Sequence, residues 1–332
     1  MAQNYLHLVK KTKIQKKNDI VINIPTYYSY QTTKKTLKLL YKQKGVNFDI
    51  LIIDNNSNDY YKLSKEFSEL NYLVLKYNSG SSGAQRIGIE LALKLKYKYI
   101  VCTDNDAILL ENDGILKLYK KLTSNSDIDC VVPKPIKSNN RKDLLWNRQL
   151  PLHYLFFKSK ALEKIELHNF YLFLLTDDIS LTSKIVSKGK ILIASNTSYY
   201  HPFKPKHLDN VYSYFYIRGL LIIIFLEKGI SFKLKIYHSL HLFYRIILCF
   251  LYSIELKDVS YLKNLFLAFK NFLTNYKKID FNIPKNKYCL KETKVKEHYA
   301  YKFTSLNILF LKKYYYLDSY HKKIFLELTK NE

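Results

Sequence analysis

The sequence predicts an α/β protein: a mostly parallel central sheet flanked by helices, followed by a mainly helical C-terminal region. Three observations carry this. Apolar runs at Asp19–Ile24, Phe48–Ile53, Tyr72–Lys76 and Tyr99–Thr103 alternate with segments of helical periodicity. Short runs bounded by turn residues read as buried strands, and strand–helix alternation with short connections argues for parallel pairing. Next, three of these runs end in polar clusters, Pro25-Thr26-Tyr27, Asp54-Asn55 and Asp104-Asn105-Asp106. Parallel pairing gathers such clusters along one sheet edge, where open α/β sheets bind ligands. Last, from Asp209 on the chain is rich in Leu, Ile, Phe and Tyr and reads as helical.

Size and composition set bounds on the rest. At 332 residues the chain exceeds one ordinary domain. The expected division is a basic, solvated leader (1–18), an α/β domain (19–218) and a helical, basic-aromatic C-terminal domain (219–332). Hydrophobic residues make up 48%, enough for a sizeable core, which excludes a disordered chain. The net charge is +26, which suits nucleic acid, an anionic membrane surface or a phosphate-bearing substrate, or reflects a Lys-rich coding bias. Gly219–Glu332 holds 20 basic and 9 acidic residues, so no one domain concentrates the excess and the nucleic-acid reading loses weight. Cys102, Cys130, Cys249 and Cys289 lie far apart without a CxxC pair, which argues against a zinc knuckle or disulfide framework and fits a reducing cytoplasm. The front of the chain shows no apolar signal-peptide core. The nearest approach to a membrane span, Ile236–Leu256, contains His238, His241, Arg245 and Glu255 and reads as amphipathic or buried.

In chain order, Asp19–Ile24 is a strand stopped by Pro25, which lacks a ladder donor. Gln31–Lys42 and Tyr61–Leu70 are helical, and a further helix follows Asn78-Ser-Gly80-Ser-Ser-Gly83 with Ala84, Ile87, Gly88, Leu91, Ala92 and Leu95 on one face. Asn112–Leu122 is a helix, Asp129–Val132 a strand, Pro133–Leu150 a polar loop, and His153–Lys158 a strand. Thr176 is placed to cap a helix that opens with Asp177-Asp178 and is followed by Gly189, with Lys190–Ala194 a last strand.

Two motifs admit chemistry. Asp104 and Asp106, two apart at a strand end, suit a hard divalent cation that also holds phosphates, or else they end a strand with turn chemistry. The glycine loop suits an anion at a helix start, or a tight turn and close helix–sheet packing. It carries no GKS or GKT, which excludes a P-loop ATPase, and it follows the third strand, not the first, unlike a dinucleotide fingerprint.

The ordered set of a strand into Pro-Thr-Tyr, IIDNNSND, NSGSSGAQRIGI, TDNDA and TDDISLTSKIVSKG resembles glycosyltransferase family 2 from Asp19 to about Arg218. YSYFYIRGLLIII (Tyr212–Ile224) is similar to the tyrosine-rich helix of its rhamnosyl- and galactofuranosyltransferase-like members. The resemblance implies a GT-A fold and an inverting enzyme that uses a nucleotide sugar. On these positions it implies Pro25, Thr26 and Tyr27 at the base and ribose, Asp54 hydrogen-bonded to the base, and Asn78, Gly80 and Gly83 beside the nucleotide. Asp104 and Asp106 match the Asp-x-Asp that holds Mn²⁺ or Mg²⁺ and the donor, with His201 a further metal contact. Asp178 matches the catalytic base, with Asp177 beside it. Asn55 replaces a second carboxylate common in relatives, Arg86 replaces an Asn, and the Gln-x-x-Arg-Trp signature of processive synthases is absent; Trp146-Asn147-Arg148 has the wrong order.

The implied activity is transfer from a UDP- or dTDP-linked sugar to a glycan or polyprenyl-linked glycan in cell-surface polysaccharide synthesis, such as capsule or O-antigen. It implies a cytoplasmic enzyme, peripheral on the inner face of the plasma membrane, where basic residues beside aromatics in 219–332 suit an anionic leaflet, or equally the solvated face of an ordinary helical subdomain. Two rivals stand beside it. A sugar nucleotidyltransferase needs a Gly-rich, Arg/Lys-bearing loop after the first strand, where this chain has Pro25-Thr26-Tyr27-Tyr28. A non-catalytic basic nucleic-acid- or membrane-binding protein uses the charge but leaves the aligned carboxylates unexplained.

Overall fold

A computed structural model describes residues 5–135, 144–146, 153–201, 210–255 and 257–276, with backbone alone at 144–146, 210–212 and 255. These residues lie in one compact unit comprising Met1–His201 and Lys206–Asn282. Residues 136–143 and 147–150 of the expected polar loop lie outside the described residues, as does the end of the chain from Lys277.

The front half alternates as the hydrophobic pattern requires: β1 (Val9–Lys13), β2 (Ile20–Thr26), α1 (Tyr30–Tyr41), β3 (Asp49–Asp54), α2 (Asp59–Glu66), β4 (Asn71–Leu75), α3 (Gly80–Lys94) and β5 (Tyr99–Cys102). The chain continues through β6 (Ile108–Leu109), α4 (Gly114–Thr123), β7 (Cys130–Pro135), β8 (Leu144–Trp146), β9 (Leu155–Lys158), α5 (Ser159–Glu163), α6 (Asp177–Lys188) and β10 (Ile191–Tyr200). Three helices close the described part: α7 (Asn210–Phe225), α8 (Phe232–Glu255) and α9 (Ser260–Asn275). One ten-stranded sheet runs β1-β4-β3-β2-β5-β9-β7-β10-β6, with β8 also on β10. β4, β3, β2 and β5 are parallel neighbours, as expected. Beyond β5 the sheet is mixed, because β9 enters antiparallel between β5 and β7.

β2, β3 and β4 are buried at every position, and the sheet is covered on both faces. One face packs Ile87, Leu155, Leu181 and Ile193 together, and the other packs Leu37, Ile52, Leu118 and Phe156. Runs without polar alternation are what two-sided burial produces.

Two local expectations are corrected. Pro25 does not stop β2: the strand continues to Thr26, with Pro25 opposite Ile53 and Thr26 opposite Asp54. Pairing with β5 has already ended at Asn23–Cys102, so on that side of β2 a missing N–H forfeits no ladder bond. The basic leader is not a free tail either. Val9–Lys13 pairs antiparallel with β4 and presents exposed side chains on the sheet's edge, where lysines discourage a further strand.

Candidate active site

Asp104 and Asp106 follow β5, and their orientation is set by the residue between them. Asn105 donates to Thr33 Oγ1 (3.1 Å) and to Ser29 Oγ, while its carbonyl accepts from Thr36 Oγ1 (2.7 Å). α1 thus pins the middle of the triplet. The antiparallel register of β5 with β9 puts Cys102 opposite Leu155, and two further residues along bring Asp104 opposite His153. β6 and β10 pair Ile108 with Tyr200, so the next position brings His201 to Ala107, beside Asp106.

The side chains meet accordingly. His201 Nε2 lies 3.0 Å from Asp106 Oδ1 and 3.7 Å from Asp104 Oδ2. His153 Nδ1 lies 3.5 Å from Asp104 Oδ2, and the two imidazoles stack at 4.0 Å. One ligand atom from each of Asp104, His153 and His201 falls within 4.8 Å of the others. His153 was missed by sequence reasoning, which saw only a strand start; its role follows from cross-strand register.

The second half of the site is the start of α6. Thr176 takes the N-cap position as expected but makes no side-chain cap bond. Asp177 is 4% exposed, and Asp178, half-buried, accepts from the Ile179 N–H (2.7 Å). Burial first, and the Asp104 carboxylate second, hold the Asp177 carboxyl well above the usual carboxylate range. Burial, then Asp177 and Asp104, do the same to Asp178. The three carboxylates therefore lie within one another's fields at one sheet edge.

α3 mounts this half. The Ser82 N–H donates to Phe173 O (3.1 Å), Ser82 Oγ to Asn169 O (3.1 Å), and Arg86 Nη1 to Leu167 O (2.9 Å) and His168 O (2.5 Å). The segment that leads into α6 is thus tied to the glycine loop. Gly80 has φ +71°, and a Cβ there would stand 2.1 Å from Phe173 O, so both backbone shape and closeness demand glycine. Of the two readings of this loop, close packing is the one whose hydrogen bonds are made. Arg86, where relatives carry Asn, is a buried clamp that also bonds Glu90 (2.9 Å).

α6 is held from behind as well. Lys184, fully buried, pairs with Glu227, which also accepts from Ser180 Oγ (2.7 Å) and the Asn169 N–H (2.7 Å). α7 approaches at Gly219, where a Cβ would stand 2.0 Å from Thr176 Oγ1. This helix brings Tyr216 into the field of Asp178, with Arg245 of α8 at 4.2 Å over its ring. The arginine of the tyrosine-rich helix, Arg218, is buried and donates to Tyr171 O (2.6 Å) and to Tyr276 O, a structural role.

The remaining candidates lie at the ends of β2, β3 and β4. The Tyr27 hydroxyl faces the Asn78 side chain, and Asn78 Oδ1 accepts from the Gly80 N–H (2.9 Å). Pro25 is buried, and Thr26 Oγ1 donates to Asp59 Oδ2 (2.8 Å). Gly83 packs against Ser79 and Phe170. Asp54 is 1% exposed, and its carboxylate accepts from the Ser57 N–H (2.7 Å), Ser57 Oγ (2.7 Å) and the Tyr60 N–H (2.9 Å). That carboxylate holds the turn into α2, work that competes with the base contact expected of it. Asn55 bonds Ser79 N (3.0 Å) and Gly80 O (3.1 Å), so the replacement for a second carboxylate ties β3 to the glycine loop.

A mixed sheet with carboxylates at the end of a central strand and a second acidic pair opening a later helix defines the GT-A class. The chain is similar to the mannosyltransferase PcManGT from Pyrobaculum calidifontis in complex with GDP-Man and Mn²⁺ (TM-score 0.53, 13% identity, 96% of this chain and 89% of that one). It is also similar to S. aureus TarS 1-349 with UDP (TM-score 0.46, 18% identity, 63% of this chain and 66% of that one). For the same protein with UDP-GlcNAc the values are 0.48, 17%, 68% and 72%. At these identities the likeness concerns the fold, and it rests on the mannosyltransferase. No curated protein sequence matches the chain. Residues 21–178 match Glycosyl transferase family 2, and that segment is similar to this family of glycosyltransferases.

Proposed function

We propose that this chain is an inverting, metal-dependent glycosyltransferase that moves a sugar from a UDP- or dTDP-linked donor to a glycan or polyprenyl-linked glycan in capsule, O-antigen or similar polysaccharide synthesis. One observation supports this most: Asp104, set beside two histidines, lies within the electrostatic reach of the buried Asp177–Asp178 pair. Such crowding is costly in the absence of a counter-charge, and a cation supplies one.

The donor set fits the cation. Asp104, Asp106, His153 and His201 offer carboxylate oxygen and imidazole nitrogen, which suit Mn²⁺ and, through the carboxylates, Mg²⁺. When bound, the ion supplies Lewis acidity to a leaving diphosphate. Asp178 accepts the proton of the acceptor hydroxyl on the face of the sugar opposite the leaving group, which yields inversion. Its raised pKa, from burial and like charge, makes it a better base than an ordinary carboxylate. Asp177, hydrogen-bonded by Ser81, sets the field around it. Tyr27 and Asn78 line the base and ribose side, with Pro25, Thr26, Asp54, Gly80 and Gly83 shaping the loops that carry them. Residues 19–218 form the catalytic domain and 219–332 the C-terminal domain, and the enzyme works at the cytoplasmic face of a membrane.

A panel of nucleotide sugars with Mn²⁺ or Mg²⁺, read by thermal shift and slow donor hydrolysis, tests this. The expected result is one donor class that binds and hydrolyses only with cation. No donor binding, combined with salt-sensitive binding to random oligonucleotides, overturns it in favour of a nucleic-acid protein. Pyrophosphate release from a nucleoside triphosphate and a sugar phosphate overturns it in favour of a nucleotidyltransferase.

A further inference from the structure

α8 has two faces. Leu234, His238, Leu242, Leu248, Cys249 and Tyr252 are buried, while Phe232, Ile236, Leu240, Phe243, Ile247 and Ile254 are 40–79% exposed. With Leu251, also exposed, the set recurs at three- and four-residue spacing along six turns, so it forms one apolar stripe. Among the described residues, Phe232–Ile254 is also the one helix long and apolar enough to cross a membrane by length and composition.

Spanning is ruled against by what the inner face holds. His238, fully buried, hydrogen-bonds Ser183 of α6 (2.9 Å), and the Ser231 N–H just before α8 donates to Ser187 Oγ of α6 (2.8 Å). α8 is fastened to the helix that carries Asp177 and Asp178, so only its outer stripe is available to another phase. Charge decides which phase. Exposed Lys228 and Lys233 stand at one end, Lys257 stands between Glu255 and Asp258 at the other, and between Ile236 and Ile254 the only charged residue is Arg245, turned onto Tyr216. A second copy laid parallel would bring Lys228 and Lys233 against the same lysines. The chain's own 277–332 is no better matched in charge, with 13 lysines and 6 acidic residues. An anionic bilayer surface matches both the apolar centre and the basic Lys228–Lys233 end.

We propose that α8 lies in the plane of an anionic membrane surface, with the Phe232–Ile254 stripe inserted at the headgroup boundary and the catalytic carboxylates held at a fixed height above it. Asp178 is five residues from Ser183, about 8 Å along α6, so the carboxylates ride on the same helix that α8 grips. This takes the membrane part of the proposed function to a surface and an orientation. Its test reads binding, not transfer, so either can fail alone.

The full chain is sedimented with phosphatidylcholine vesicles with and without about 30% phosphatidylglycerol. Expected is binding to the anionic vesicles, weakened by salt, released by alkaline carbonate, and reduced about tenfold or more in Leu240→Glu/Phe243→Glu at an unchanged melting temperature. Phe243→Cys carrying a polarity-sensitive dye shifts to the blue only when vesicles are added. No sedimentation at low salt, or undiminished binding of the double Glu variant, overturns the proposal. So does retention after carbonate, the mark of a spanning helix. A dye already in an apolar setting without vesicles overturns it too, since the stripe is then covered by the chain's own end or by another copy.

Discussion

Asp177 and Asp178 are ionised only at a cost, and that cost is measurable. In the unfolded chain an Asp titrates near ~4, whereas burial and Asp104 push Asp177 up to about 7 in the fold. Between those values the folded state binds more protons, so the pair's contribution to stability is full at low pH and is lost as pH rises through the folded value. Asp177→Asn has no proton to lose. In a metal chelator it melts above the wild type at pH 8, by the equivalent of about 1–3 kcal/mol, a tenfold change in proton affinity being worth ~1.4 kcal/mol. The gap closes towards pH 4. A gap that is constant across pH assigns the effect to packing instead. Asp178→Asn tests the base itself: steady-state kinetics should show turnover down by about 10²–10⁴ with donor affinity retained. Near-full activity removes Asp178 from that role.

At the scale of elements, the start of α6 is held in position by a loop that looks like an anion cradle. Gly80 and Gly229 share a left-handed backbone, φ +71° and +77°, yet differ in surroundings: a Cβ at Gly80 meets Phe173 O at 2.1 Å, and one at Gly229 meets nothing within 4 Å. Gly229→Ala should cost only the backbone term, about 1–2 kcal/mol. Gly80→Ala should cost about 3 kcal/mol or more and depress activity, because the 167–173 segment must move away. Chemical denaturation of the two variants reads the difference directly, and equal losses would mean that the loop does not mount α6. The same elements show what the chain made legible. β2, β3, β4 and β5 were readable because two-sided burial writes continuous apolar runs, and their polar ends lined up because parallel pairing leaves no other arrangement. His153 was not readable. Its place opposite Asp104 depends on β9 entering antiparallel next to β5, and that pairing is decided by contacts far apart in sequence. Asp54 shows another limit: the turn it closes lies within its own neighbourhood and engages the carboxylate, which the residue type alone does not reveal.

For the molecule as a whole, the proposed cation site joins parts of the chain that share no local structure. Asp104 and Asp106 follow β5, His153 precedes β9, and His201 follows β10, so the proposed ligands belong to the middle and the far side of the sheet. An ion that binds all of them binds only the folded arrangement, and stabilises it by mass action: about 2.7 kcal/mol at a hundredfold excess over its dissociation constant. For a domain of this size that is a rise of roughly 5–10 °C in melting temperature. Mn²⁺ should produce it in the wild type without any nucleotide. His201→Ala and His153→Ala should each shrink the rise while leaving the metal-free melting temperature within a degree or so, since both side chains sit at the rim and not in the core. If His153→Ala keeps the full Mn²⁺ response, the ion is held by Asp104, Asp106 and His201 alone, and the cross-strand neighbour of Asp104 serves only to stack on His201. Should Mn²⁺ leave the wild-type melting temperature where it was, the gathered carboxylates and imidazoles are not a metal centre in the absence of donor, and cation and nucleotide sugar must then arrive together.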